Sequence, residues 1–285
     1  MDYANPDALV STEWLQAHLG APDVRVVDAS WYLPSQNRDA RHEYDDEHIP
    51  GAVFFDVEEI SDTASPLPHM LPPPEKFASR VRKLGLGNGN RIVIYDGTGF
   101  ASAAARVWWM FRYFGHRDVS VLDGGLPKWL REQRPVEDLP PMPRDRHFIP
   151  HVNSMLLRGL ADMKSNLDSR RDLVLDARGA SRFKGVDPEP RPTRRQGHIP
   201  GSVNVPFADL IDDRTRCMRP AEELAARFAQ AGVQPGRWVA ATCGSGVTAC
   251  VLALGLHLIG HDECAVYDGS WSEWGDLDDL PVEAG

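Results

Sequence analysis

Three short signals occur twice in the chain, in the same order and at nearly the same spacing. Val26-Val27-Asp28-Ala29 returns as Val174-Leu175-Asp176-Ala177. His48-Ile49-Pro50-Gly51 returns as His198-Ile199-Pro200-Gly201, and Leu122-Asp123-Gly124-Gly125 through Trp129 as Tyr267-Asp268-Gly269-Ser270 through Trp274. The offsets are 148, 150 and 145 residues in a chain of 285. Ordered repetition at that period means two homologous domains of about equal size. The proline-rich stretch Arg134-Pro135 to Leu139-Pro140-Pro141-Met142-Pro143 lies between the copies. Proline fixes φ and removes a backbone donor, so this stretch continues neither helix nor central strand. The expected division is a domain at 1–142, a linker at 143–154 and a second domain at 155–285.

Each copy alternates two kinds of segment. The short β-branched runs at 91–95 and 238–242 predict buried strands. Apolar-periodic stretches at 101–114 and 247–259 predict helices, as do 74–84 and 220–231, which end near Gly85 and Gly232. Strands alternating with helices imply an α/β fold, here two mainly parallel sheets, each flanked by helices.

Charge and cysteine content exclude several classes of function. The formal net charge is −10, so nucleic acid and anionic membranes are not expected partners. An anionic substrate would need its own local cations. The four cysteines, Cys217, Cys243, Cys250 and Cys264, form no Cys-x-x-Cys pair and match no metal-binding spacing. No metal or other cofactor is expected. The first residues, MDYANPDALV, have neither the basic nor the apolar region of a secretory signal. The expectation is a cytoplasmic protein with free thiols.

The sharpest local signal is Thr242-Cys243-Gly244-Ser245-Gly246-Val247-Thr248-Ala249. A buried strand ends, two glycines allow a tight turn, and a helix begins. That arrangement aims several backbone N–H groups at one point, at the carboxyl end of a parallel strand where ligands bind. A cysteine there is favoured as the thiolate, the nucleophilic form. Cys250 and Cys264 have no such setting and are expected in the core; Cys217 falls in a charged loop. The equivalent loop of the first copy is Tyr95-Asp96-Gly97-Thr98-Gly99. Asp96 puts a carboxylate where the second copy has its thiol, so the first domain is expected to be catalytically silent.

The doubled domain, both His-Ile-Pro-Gly segments, Arg106-Val107-Trp108-Trp109-Met110-Phe111-Arg112, Tyr267-Asp268-Gly269-Ser270-Trp271 and the Cys243 loop together resemble the tandem-domain rhodaneses. The resemblance covers nearly the whole chain. Members of that superfamily pass sulfur through a cysteine persulfide. Their thiosulfate-using branch typically carries Cys-Arg-Lys-Gly-Val-Thr and their 3-mercaptopyruvate-using branch Cys-Gly-Ser-Gly-Val-Thr; this chain has the second form. The resemblance implies a persulfide cradle of Gly244, Ser245, Gly246, Val247 and Thr248, and places Arg182 and Arg191 on the substrate carboxylate and carbonyl. Arginine suits that task because its planar fork pairs with a carboxylate through two bonds. It also implies a proton-handling set of His48, Asp39 and Ser245, drawn from both domains. The implied activity moves sulfur from a small donor, 3-mercaptopyruvate, to a thiol such as thioredoxin or a small thiol, or to cyanide.

Three other readings compete. A thiosulfate sulfurtransferase differs only in its donor. A cysteine-dependent phosphatase needs an arginine closing the loop, and Ala249 stands sixth after the cysteine. A non-catalytic rhodanese-like interaction module would not need an intact Cys243 loop.

Overall fold

The computed structural model describes residues 2–285. In the first copy the chain forms β1 (Leu9–Val10), α1 (Thr12–His18), β2 (Val24–Asp28), α2 (Ala40–Asp46), β3 (Val53–Phe54), α3 (Pro74–Lys83), β4 (Arg91–Tyr95), α4 (Ser102–Tyr113), β5 (Val119–Leu122) and α5 (Gly125–Arg131). The second copy forms β6 (Leu157–Arg158), α6 (Leu160–Ser169), β7 (Leu173–Asp176), α7 (Ala180–Phe183), β8 (Val203–Asn204), α8 (Ala221–Gln230), β9 (Val239–Thr242), α9 (Ala249–Leu258), β10 (Cys264–Tyr267) and α10 (Ser270–Trp274). The two sheets have the same topology, β1-β5-β4-β2-β3 and β6-β10-β9-β7-β8, and every strand pairing is parallel. The α/β reading and the duplication are both present.

Both faces of each sheet are covered, so the strands are apolar throughout rather than alternating with polar residues. Their side chains still alternate between two cores. Ile92 and Ile94 of β4 face the interior that the domains share, whereas Val93 and Tyr95 face an outer layer with Leu15, Ile49 and Trp129. Likewise Val239 and Ala241 of β9 face the shared interior, and Ala240 faces an outer layer with Ile199, Trp271 and Trp274. Helices α4 and α9 pack against each other, and the apolar residues around them form one continuous core across the domain boundary. Burying that surface at about 25 cal/mol per Å² holds the domains as one body.

Some boundaries differ from expectation. The helix expected at 247–259 begins at Ala249, because Val247 and Thr248 remain in the turn. The strand expected from 238 starts at Val239. Gly85 (φ +71) and Gly232 (φ +85) follow their helices in the left-handed region. Residues 138–153 form neither helix nor strand and are strapped along the first domain. Backbone bonds run from Arg146 N to Arg82 O and from His151 N to Phe114 O, and Phe148 is buried beside Phe77 and Phe111. Among the described residues no helix is long and apolar enough to cross a membrane.

Candidate functional site

Cys243 follows the last residue of β9, at the carboxyl end of the second sheet, and the loop 244–248 leads into α9. The start of α10 braces this loop. Cys243 N donates to Ser270 Oγ at 3.1 Å, Trp271 N to Cys243 O at 3.0 Å, and Ser272 N and Oγ to Gly244 O at 2.9 and 2.7 Å. Gly246 has φ +76, and a β-carbon there would lie 2.8 Å from Asp268 O, so this turn admits only glycine. With every brace placed on carbonyls or on Cys243 N, the amides of residues 244–248 have no acceptor among the described residues. Unpaired amides in a glycine-bearing turn of this kind are the donors from which an anion nest is built. The cysteine is 1% exposed and forms the floor of a cleft of about 960 Å³, mouth included.

Both domains line that cleft. The second contributes Arg182, Glu189, Arg191, Phe207, Ser245 and Thr248, and the first contributes Trp31, Leu33, Gln36, Thr98, Phe100 and Ser102. Arg182 lies over the glycine that follows the cysteine: a β-carbon at Gly244 would be 2.9 Å from Arg182 Nη2. Its Nε donates to Glu189 Oε2 at 3.1 Å and its Nη2 to the same oxygen, leaving Nη1 without a partner among the described residues. Glu189 is fixed in turn by Arg178, which donates at 2.7 Å to Glu189 Oε1 and at 2.7 Å to Asp176 Oδ2. Arg191 sits beside Glu58 at 3.3 Å and over Trp31 at 5.5 Å. The two arginines expected at the site therefore converge on one cleft with Cys243.

Ser245 is also there, but its partners are not the expected ones. Its Oγ lies 3.1 Å from His69 Nδ1, and His69 Nε2 lies 3.0 Å from Glu58 Oε1. Burial is the main cause holding His69 below the ordinary imidazole range, with Glu58 opposing it. Glu58 is held down at about 2, chiefly by its hydrogen bond from His69. Both directions fit one state: neutral imidazole, its Nε2–H donating to an ionised carboxylate and its Nδ1 lone pair facing the serine hydroxyl. Serine, histidine and carboxylate thus form a chain across the domain boundary.

His48 and Asp39 are elsewhere, which corrects the expected proton-handling set. His48 is fully buried, its Nδ1 is 2.7 Å from Tyr44 O, and it stacks on Tyr44 at 4.2 Å. His198, its counterpart in the repeat, does the same, bonding Phe183 O at 2.9 Å and stacking on Phe183 at 3.7 Å. Each also pairs through the backbone with a glutamate on a trailing segment, Glu137 or Glu283. A feature built identically in both domains belongs to the fold. Asp39 caps α2, accepting from Arg41 N and His42 N at 3.0 Å each. Reading the sequence missed His69 and Glu58. The available signal was Pro66-Leu67-Pro68-His69-Met70-Leu71-Pro72, a proline-fixed segment whose histidine has no counterpart histidine in the second copy.

The remaining cysteines are inert by environment. Burial pushes the thiols of Cys217 and Cys264 up to about 11 and about 12, and that of Cys250 well above its ordinary value. All four cysteines are free.

Comparison with known proteins agrees with this architecture. The family profile of the rhodanese-like domain matches twice, at residues 11–132 and 160–277. Over 273 residues the chain is 46% identical to 3-mercaptopyruvate sulfurtransferase of Homo sapiens, spanning 94% of this chain and 91% of that protein. Thiosulfate sulfurtransferase of Rattus norvegicus is also 46% identical, with the same coverage. The crystal structure of SseA from Escherichia coli, described as a 3-mercaptopyruvate sulfotransferase, superposes with a TM-score of 0.84 at 37% identity, covering 93% of this chain and 98% of that one. With two matched domains, a shared fold and near full-length relatives, the chain belongs to the rhodanese family in its tandem-domain form.

Proposed function

We propose that the protein is a 3-mercaptopyruvate sulfurtransferase that works through a persulfide on Cys243, with the N-terminal domain catalytically silent. The observation that carries this reading is the turn of five unpartnered amides that follows Cys243, at a cleft that also holds two arginines and a serine bonded to His69. Arg182 and Arg191 bind the donor's carboxylate and carbonyl, setting its sulfur against the thiolate. Ser245 passes the donor's thiol proton to His69 Nδ1, and Glu58 steadies the resulting imidazolium. The thiolate lone pair forms the S–S bond as the S–C bond breaks, and that electron pair moves into pyruvate enolate. His69 returns the proton through Ser245 to the enolate carbon, giving pyruvate. The loop amides hold the persulfide anion as preorganised donors. An acceptor then attacks the outer sulfur and regenerates the thiolate; a small thiol, thioredoxin or cyanide fits this step. Four free thiols suit a reducing compartment, and we assign the protein to the cytoplasm.

Thiosulfate is the rival donor, favoured by the equal identity to the rat thiosulfate enzyme. It brings no proton to relay, so Ser245 and His69 would be idle. A side chain at 244 would also displace Arg182, whereas Gly244 lets the guanidinium approach. Steady-state turnover with both donors decides the matter. We expect kcat/KM to favour 3-mercaptopyruvate by about 10-fold or more, a difference of about 1.4 kcal/mol in transition-state binding. A preference for thiosulfate would overturn the donor assignment.

A further inference from the structure

One guanidinium outside the cleft ties together the two segments that carry the relay. Arg106, on α4 of the first domain, is 0% exposed and does not line the cleft. Its Nη2 donates to His69 O at 2.5 Å and its Nη1 to Gly246 O at 3.3 Å. Asp268 Oδ1 lies 2.7 Å from Nη2, and Asp268 Oδ2 accepts the Leu71 amide at 2.7 Å. Trp109 covers the guanidinium face at 4.7 Å. The two held carbonyls belong to residues in the left-handed region, His69 at φ +59 and Gly246 at φ +76. For a histidine that conformation costs about 1 kcal/mol or more and persists only where the surroundings enforce it.

A buried guanidinium is expensive to keep, and apolar packing alone would join α4 to α9 at lower cost. Its bonds reach the backbone one residue from Ser245 and the backbone of His69 itself. We propose that Arg106 is a positioning residue for the sulfur transfer: clamping these carbonyls sets the His69 ring against the Ser245 hydroxyl. This rests on the functional reading above.

The test compares wild type, Arg106→Lys, His69→Ala and the double variant, each checked by circular dichroism and thermal melting. Single-turnover loading and steady-state rates are measured with 3-mercaptopyruvate. Arg106→Lys keeps the charge but loses the fork. It should lower kcat by about 20-fold or more with KM within about 3-fold, as a small misplacement of a relay does. In the His69→Ala background the same replacement should cost under about 3-fold, since nothing remains to be positioned. Equal losses in both backgrounds, or an Arg106→Lys enzyme at wild-type kcat, would overturn the proposal. If Arg106→Lys does not fold, Asp268→Asn, which loosens the same guanidinium, is read in both backgrounds by the same criterion. A wild-type enzyme that loads no sulfur refutes the functional reading and leaves Arg106 nothing to position.

Discussion

The loop after β4 and the loop after β9 hold the same place in two copies of one fold, and they treat their amides in opposite ways. In the first domain Asp96 fills its own loop. Its Oδ1 accepts from Thr98 N at 3.0 Å, Thr98 Oγ1 at 2.6 Å and Gly99 N at 3.2 Å, and its Oδ2 from Ala104 N at 3.1 Å. Gly97 N and Phe100 N are satisfied by Ser30 and Thr98 hydroxyls. In the second domain Cys243 replaces the aspartate, the amides of 244–248 have no acceptor among the described residues, and Gly244, Ser245, Val247 and Thr248 line the cleft. A duplicated scaffold therefore places the same turn twice. Where the turn carries a carboxylate, that side chain uses up the amides; where it carries the thiol, they are left unpaired, which is what the proposed persulfide needs.

Moving the first domain's solution into the second is the strongest challenge to that contrast. Cys243→Asp should abolish turnover with every donor and raise stability by about 1–2 kcal/mol, or roughly 2 °C or more in Tm, because the carboxylate meets waiting donors. A lower Tm would mean that the open amides are not a preformed anion site. His69→Gln should lower kcat with 3-mercaptopyruvate by about 10²-fold, the usual worth of positioned proton transfer. The sign of the pH dependence follows from the neutral imidazole. Wild-type turnover should fall as pH drops through the His69 value, which burial holds below the ordinary imidazole range, and the variant should lose that limb. A smaller effect is expected in the first domain. Asp96→Ala removes an acceptor for four donors at a residue 1% exposed and should cost about 2 kcal/mol in denaturant unfolding. Unchanged stability would remove the structural half of the comparison.

The sequence made much of this contrast legible, because the repeat compares each residue with its own counterpart. Asp96 opposite Cys243 singled out the second domain as the one with a thiol at the loop. The strand, Gly-Ser-Gly turn and helix told where it sits. Arg182 and Arg191 came from resemblance and meet Cys243 in one cleft. The partner of Ser245 was not legible for a physical reason. His69 and Ser245 are 176 residues apart, and their contact comes from the docking of the two domains, in which α4 packs on α9. No local pattern encodes a docking of domains. The same comparison held the correction to His48, since a histidine repeated as His198 in an identical turn is more simply a part of the fold. Arg106 was visible as a charge inside an apolar helix, but its bonds to His69 and Gly246 depend on the same docking.

The most direct measurement is the intact mass of the protein after brief incubation with 3-mercaptopyruvate and no acceptor, followed by peptide mapping. The proposed persulfide route requires the gain of one sulfur atom, located on Cys243, lost again on adding cyanide or a thiol and absent in Cys243→Ser. No added sulfur on Cys243, or sulfur on Cys217, Cys250 or Cys264 in its place, would contradict it.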